Sequence, residues 1–336
     1  MELGLMWGYW GATPTPNVIP LTQEAERLGF DSVWTAEAWG SDAFSPLAWI
    51  AGHTSKIKLG TGVVQLAART PTATAMAALT IDHISNGRFQ LGLGVSGPQV
   101  VEGWYGRPSN KPLARTREYV EIIRQVLRRD EPLEFAGEFY QHPYRGEGST
   151  GLGKPLRTIT HPLRADLPIF LGAEGPKNVA MTAEIADGWL PLYYSPHHPD
   201  VYADSLVGAK ANFQIVAGAQ VNINDDLEQA LLPVKMMLGF YIGGMGAKGQ
   251  NYHTKLMQRF GYEEQALKIQ ELFFEGRRDE AVALVPDDFA DAISLCGSPD
   301  RIRDRAQAWK ESAVTTLLVY SPGNADALRQ LAEILS

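Results

Sequence analysis

Three glycines spaced Gly92-x-Gly94-x-x-Gly97 close one apolar run, and Thr61-Gly62-Val63-Val64 closes another upstream of it. Both runs are apolar in the way a strand buried in a parallel sheet requires. Both end in residues with little or no side chain, where a flat ligand can lie against bare backbone. Between them an Ala-rich stretch reads as a helix from Pro71 to Ser85, and Asn86-Gly87 turns the chain. The segment is one β-α-β unit with a binding site at its carboxyl ends. The glycines also fit the dinucleotide fingerprint, and Glu118 lies about where its ribose-binding acid would be. The context argues against that chemistry, because the fingerprint should leave the first strand of its unit and open a helix directly. Here at least three strands precede it, Pro98–Trp104 reads as a loop, and Glu118 sits inside the helical run Arg115–Arg128.

Other reaction classes lack their signatures. None of the seven histidines stands in a metal-ligating spacing, so no metal is expected. No Gly-x-Ser-x-Gly elbow supports a hydrolase. Asp82-His83 lies at the end of the helix before Asn86-Gly87 and reads as a polar helix-end contact rather than a dyad. His197 and His198 are adjacent, so their side chains diverge.

The elements that must position a site alternate almost throughout. Strands centre near residues 5, 34, 61, 91, 170, 190, 217 and 317, most of them followed by a helix. Eight such units in 336 residues predict a single (β/α)8 barrel, an α/β fold of one domain spanning 1–336. Two stretches break the spacing. Glu131–Leu167 is a long Gly- and Pro-rich loop, and Asp225–Leu295 reads as a helical insertion between strands seven and eight, over the barrel mouth.

Hydrophobic residues make up 45% of the chain, enough for a large core, and the net charge of −8 without a basic run argues against nucleic acid or an anionic membrane surface as partner. The one cysteine, Cys296, excludes an internal disulfide and fits a reducing compartment. With no apolar run long enough to span a bilayer and no leader-like start, the expectation is a cytoplasmic protein.

In a barrel the site lies at the carboxyl ends of the strands. There the sequence places Tyr9 and Trp10, Glu37 and Trp39, Gln65, Ser96 and Gly97, and Ala173, Glu174 and Gly175. Tyr193, Tyr194, His197 and His198 follow strand six, Gln220 and Asn222 strand seven, and Ser321 strand eight. This mouth is aromatic and amide-bearing with few charges, which suits a flat heterocycle better than a metal. Glu174-Gly175-Pro176-Lys177-Asn178 opens a helix directly after a strand, a geometry that binds phosphate. Simpler readings exist for each: turn chemistry for the glycines, a solvated acid for Glu37, packing under loops for the tyrosines.

These segments resemble the bacterial luciferase-like superfamily, and within it the oxidoreductases that use the deazaflavin coenzyme F420. The resemblance is carried by Thr35–Ala43, Gly60–Val63, Gly92–Gly106, Leu171–Ala180 and Ala186–Trp189, and extends over essentially the whole chain. It implies a barrel with an insertion after strand seven, a non-prolyl cis peptide joining Gly62 and Val63 behind the deazaflavin ring, and a homodimer or larger homo-oligomer. It assigns cofactor contacts to Gly62, Val63, Gln65, Ser96 and Gly97, and to Gly172, Ala173, Glu174 and Gly175, the last group meeting the phosphate-bearing tail.

The departures bear on substrate. The sugar-phosphate dehydrogenases of the family carry Asp-His after strand two, where this chain has Glu37-Ala38. Their strand-four acid is missing from Ser96-Gly97-Pro98, and their Thr and Lys after strand six are replaced by Leu192 and Ser195. Glucose 6-phosphate is therefore not expected as substrate. The implied activity is hydride transfer between F420 and an unidentified small organic molecule. Glu37 is the candidate general acid, its pKa expected to be raised beside Trp39, with Tyr9 and Tyr193 as alternatives. An FMN-dependent monooxygenase and a non-catalytic flavin-binding barrel are the competing readings on the same fold.

Overall fold

The computed structural model describes every residue from Met1 to Ser336. Eight strands form a closed parallel barrel: β1 (Glu2–Gly8), β2 (Ser32–Thr35), β3 (Lys58–Thr61), β4 (Phe89–Gly94), β5 (Ile169–Gly172), β6 (Gly188–Leu190), β7 (Gln214–Ala219) and β8 (Thr316–Tyr320). Each pairs in parallel with the next, and β8 returns to β1 in the register Glu2↔Thr316 to Met6↔Tyr320. Closure leaves no free sheet edge, and the predicted barrel is the observed one.

Two cores hold it. Inside the barrel, Trp34, Phe170, Val216 and Leu318 come from four different strands and pack together, with Trp34 edge-on to Phe170 at 5.6 Å between ring centroids. Outside, a larger cluster of buried side chains fills the layer between strands and helices and runs on into the insertion through Leu238, Leu256 and Ile269. At the join of β3 and β4, Thr61 Oγ1 donates to the Gly92 carbonyl and accepts from the Gly92 N–H, both at 2.8 Å. A Cβ on Gly92 would sit 1.8 Å from the Thr61 carbonyl oxygen, so only glycine allows this approach.

The peptide bond Gly62–Val63 is cis, as the resemblance implies, and so is His142–Pro143. Asp82 is the helix-end contact expected of it: it is 2% exposed, accepts from Arg164 (2.6 Å) and from the Phe89 N–H (3.3 Å), and so ties the long loop to the start of β4. That loop carries a small hairpin, Phe135–Ala136 against Gln141–His142. His197 and His198 do diverge, toward Arg305 and Ser195 respectively.

One local reading is corrected. Pro98–Gly103 is a short helix, not a loop, with Gly97 as its N-cap and Pro98 in its first turn. Proline is preorganised for that position because its φ is already helical and its missing N–H has no partner to lose. The glycine pattern therefore does open a helix. The dinucleotide reading still fails, because the pattern leaves the fourth strand and Glu118 lies within the helix Pro112–Arg128, where it accepts the backbone N–H groups of Glu138, Phe139 and Tyr140.

Between β7 and β8 the chain forms helices over Leu227–Gly244, Tyr252–Arg259 and Glu263–Phe274, then two shorter ones. They are bracketed by a two-stranded parallel sheet, Val221–Ile223 with Leu295–Gly297. This pairing begins and ends the excursion at the barrel rim.

Gly92→Ala is expected to cost more than about 3 kcal/mol, since neither backbone can move away, whereas Gly103→Ala, whose Cβ meets nothing within 4 Å, should be neutral. Urea unfolding of the two variants checks this. A second expectation concerns acid. Burial raises the Asp187 carboxyl, but the Ile169 N–H at 2.9 Å, Arg124 and Lys210 outweigh it and hold it below its ordinary value. Its contribution to stability is then full above the unfolded-state value and is lost as pH falls through the lowered folded one. Asp187→Asn should reduce the loss of stability on acidification, measured by urea midpoints across the acid range.

Candidate active site

The strand ends and the insertion enclose a cavity of about 1150 Å³. One wall has almost no side chains. Val63 packs against Gly94 and Gly172, whose Cβ positions would fall 2.5 and 3.3 Å from its methyl groups, so the ends of β3, β4 and β5 form a shallow flat surface. Ser96, with φ of 61°, turns the chain out of this wall toward Gly97. Beyond it, Ala173, Glu174 and Gly175 lead into the helix Pro176–Ile185, and Lys177 and Asn178 in its first turn also line the cavity. Helix starts of this kind attract anions through free N–H groups and the helix dipole.

The facing wall is aromatic. Tyr9 and Trp39 come from the β1 and β2 ends, Tyr320 from β8, and Met237, Tyr241, Met245, Tyr252, His253 and Lys255 from the insertion. Desolvation holds the Tyr241 and Tyr320 hydroxyls above the usual phenol range, with neighbouring Tyr9 adding to both shifts. These groups stay protonated at neutral pH and act as hydrogen-bond donors. Two amide oxygens, Gln65 Oε1 and Gln220 Oε1, are buried with no hydrogen-bond partner although both residues line the cavity. An orphaned buried acceptor is costly, and here a ligand donor would satisfy it.

Of the residues expected at the site, Tyr9, Glu37, Trp39, Gly62, Val63, Gln65, Ser96, Gly97, Gly172, Ala173, Glu174, Gly175 and Gln220 all line this cavity. Tyr193 does not. It is 2% exposed and borders a separate pocket of about 20 Å³ beneath the mouth, together with Gln220, Met237 and Tyr320. Burial, and then the Glu174 carboxylate, push its hydroxyl well above the usual range. Tyr194 packs between Trp189 and Trp309, and Asn222 donates to the Ala230 carbonyl inside the rim.

Glu37 stands in surroundings unlike those expected. Trp39 is half exposed and forms no apolar lid over it. The Glu37 side chain is only 3% exposed and takes both arms of its charge from Arg69 Nη1, at 2.7 and 2.9 Å. It also accepts the Gln65 N–H at 3.1 Å and the Ala43 N–H at 3.4 Å, while Gln65 Nε2 donates back to the Glu37 carbonyl at 3.0 Å. Every partner of the carboxylate is a hydrogen-bond donor. This is the environment of a brace between the loops after β2 and β3, at the rim of the cavity. Arg69 carries no local motif that marks it as the partner. The insertion residues were signalled only by the Met- and Gly-rich runs at Met236-Met237 and Gly243–Gly246.

Removing one member of a buried pair strands the other charge, which costs about 3–5 kcal/mol for a fully buried pair. Arg69 keeps a quarter of its side chain in water, so Glu37→Gln should cost about 2–3 kcal/mol, and Arg69→Ala a similar amount. The double variant should cost clearly less than the sum. Urea titrations of the three variants measure this. An unchanged stability with slowed turnover would return Glu37 to the role of proton donor.

Residues 7–316 match the family described as luciferase-like monooxygenase. A protein of Mycobacterium tuberculosis that carries the provisional name coenzyme F420-dependent oxidoreductase is 52% identical, with 100% of this chain and 99% of that protein covered. A 5,10-methylenetetrahydromethanopterin reductase of Archaeoglobus fulgidus is 30% identical over 91% of this chain and 90% of its own. Among solved structures, the coenzyme F420-dependent tetrahydromethanopterin reductase of Methanopyrus kandleri superposes with a TM-score of 0.80 at 24% identity, covering 99% of this chain and 98% of that one.

Proposed function

Because the chain belongs to the luciferase-like monooxygenase family, we propose that it is an oxidoreductase that moves a hydride between coenzyme F420 and a small organic substrate. The observation that carries this reading is the shallow wall of Val63, Gly94 and Gly172, in which the two glycines leave room for the Val63 methyls, bordered by the orphaned amide oxygen of Gln65. A flat tricyclic ring fits that wall, and a ring or ribityl donor would satisfy the amide. The helix start at Gly175, with Lys177 beside it, suits an anionic tail. The 52% identical mycobacterial relative supports the same cofactor.

A bound deazaflavin supplies a hydride donor or acceptor at its ring carbon C5, and the protein's contribution is binding, orientation and a proton route. The backbone wall sets the ring plane. Glu37 and Arg69 keep the loops after β2 and β3 in place. The aromatic wall lines the space over that surface with apolar ring faces against which an unsaturated substrate can pack. A substrate that gains a hydride must also gain a proton at its heteroatom. We assign this step to Tyr9, which lines the cavity together with Tyr241.

The test is oxidation of reduced F420 by the purified protein with a panel of enones, nitro compounds and imines. Turnover with at least one class is expected. Binding of F420 without turnover of any of them would favour the non-catalytic reading, and activity with reduced FMN and oxygen the monooxygenase reading. Tyr9→Phe should lower kcat by about 10²–10⁴-fold, the usual contribution of a general acid, with cofactor affinity unchanged. Unaltered kcat removes Tyr9 from the proton route.

A further inference from the structure

Four of the eight buried side-chain polar atoms that lack a hydrogen-bond partner belong to one cluster: Glu174 Oε2, Tyr193 Oη, His253 Nδ1 and Arg259 Nη1. The cluster lies where the insertion helix Tyr252–Arg259 meets the turn after β5. His253 Nδ1 is 3.0 Å from Glu174 Oε2, an ion-pair distance whose angle falls short of a hydrogen bond. At the other end of the same helix, Arg259 Nη2 donates to the Glu174 backbone carbonyl. One helix thus holds one residue by both its side chain and its backbone.

The two holding groups are themselves fixed. The His253 ring packs edge-on to Tyr241 at 5.1 Å and to Tyr193 at 6.0 Å. The Arg259 guanidinium lies over the Tyr202 ring at 5.5 Å. The helix is tied to the rest of the insertion by Asn251, whose Nδ2 donates to the Tyr241 and Ile242 carbonyls, and by Thr254 Oγ1, which donates to the Ile242 carbonyl at 2.7 Å. Glu174 immediately precedes Gly175, the N-cap of the helix Pro176–Ile185. Arg259 beside it, with Lys177 and Lys255 on the cavity wall, sets three cations against one carboxylate in a chain of net charge −8.

We propose that His253 and Arg259 are positioning residues for the turn Gly172–Gly175, and that through Glu174 the insertion fixes the helix start that receives the anionic tail of the cofactor. The proposal rests on the deazaflavin reading for the ligand, but the clamp itself does not need it. The insertion is then part of the cofactor site as well as a cover over the substrate space.

The experiment has two arms. In the ligand-free protein, amide hydrogen exchange of Asn178 and Val179, whose N–H groups donate to the Gly175 carbonyl, should be at least about tenfold faster in His253→Ala and Arg259→Ala than in the native chain, with β7 and β8 unchanged. In binding, F420 is compared with its riboside, the deazaflavin ring and ribityl chain without the phosphate tail. Both variants should lose about tenfold in affinity for F420 and stay within about twofold for the riboside, and Arg259→Lys, which keeps a donor for the Glu174 carbonyl, should recover most of the loss. Unchanged exchange at Asn178 and Val179 overturns the proposal, as does equal loss for both ligands. If Arg259→Ala does not fold, His253→Ala and Arg259→Lys carry the test. If the native protein binds neither ligand, the cofactor reading fails and the exchange arm still decides the clamp.

Discussion

The Glu37 carboxylate gathers Arg69, the Gln65 amide and the Ala43 amide around one buried charge. Two stretches of chain meet there: the loop after β2, which leads into the helix Phe44–Ala51, and the segment after β3. The flat wall at Val63 adjoins this knot. A surface whose only packed side chain is Val63, set against Gly94 and Gly172, has little packing of its own to hold its shape, so neighbouring loops must hold it. Burying a charge is tolerable only when its donors are all in place, and that condition makes the pair specify one arrangement of the loops.

The barrel solves the same problem at a larger scale. Flatness at the mouth requires small residues at the ends of β3, β4 and β5, and small residues weaken strands. The structure compensates below the mouth, where Trp34, Phe170, Val216 and Leu318 fill the interior and the Thr61–Gly92 bonds lock β3 to β4. The site is thus a thin layer with few side chains on a densely packed plug. The insertion adds Met237, Tyr241 and Lys255 to the cavity wall, and the Arg259 guanidinium held over the Tyr202 ring.

Much of this was legible in the sequence because the relevant signals are local. Apolar runs ending in glycine give the strands and the flat wall, and the family segments give the barrel and the cis peptide at Gly62–Val63. What escaped is non-local or ambiguous in type. Gly97-Pro98 looks like a turn, yet the same two residues make a good helix start, and only the packing of Val101 decides between them. Glu37 beside Trp39 reads as an acid against an aromatic wall, but its true partner lies beyond the next strand at Arg69. Tyr193 follows β6 as expected, but its hydroxyl is turned beneath the mouth. The contacts of Glu174 with His253 and Arg259 join positions far apart in the chain, and no periodicity announces them.

The central claim is that the flat wall and the helix start at Gly175 form a deazaflavin site. A competition titration tests it most directly: F420 fluorescence is followed as the protein is added, alone and then with excess FMN. The account predicts saturable quenching in the micromolar range or tighter that FMN does not reverse. Absence of quenching, or its full reversal by the excess FMN, would contradict it.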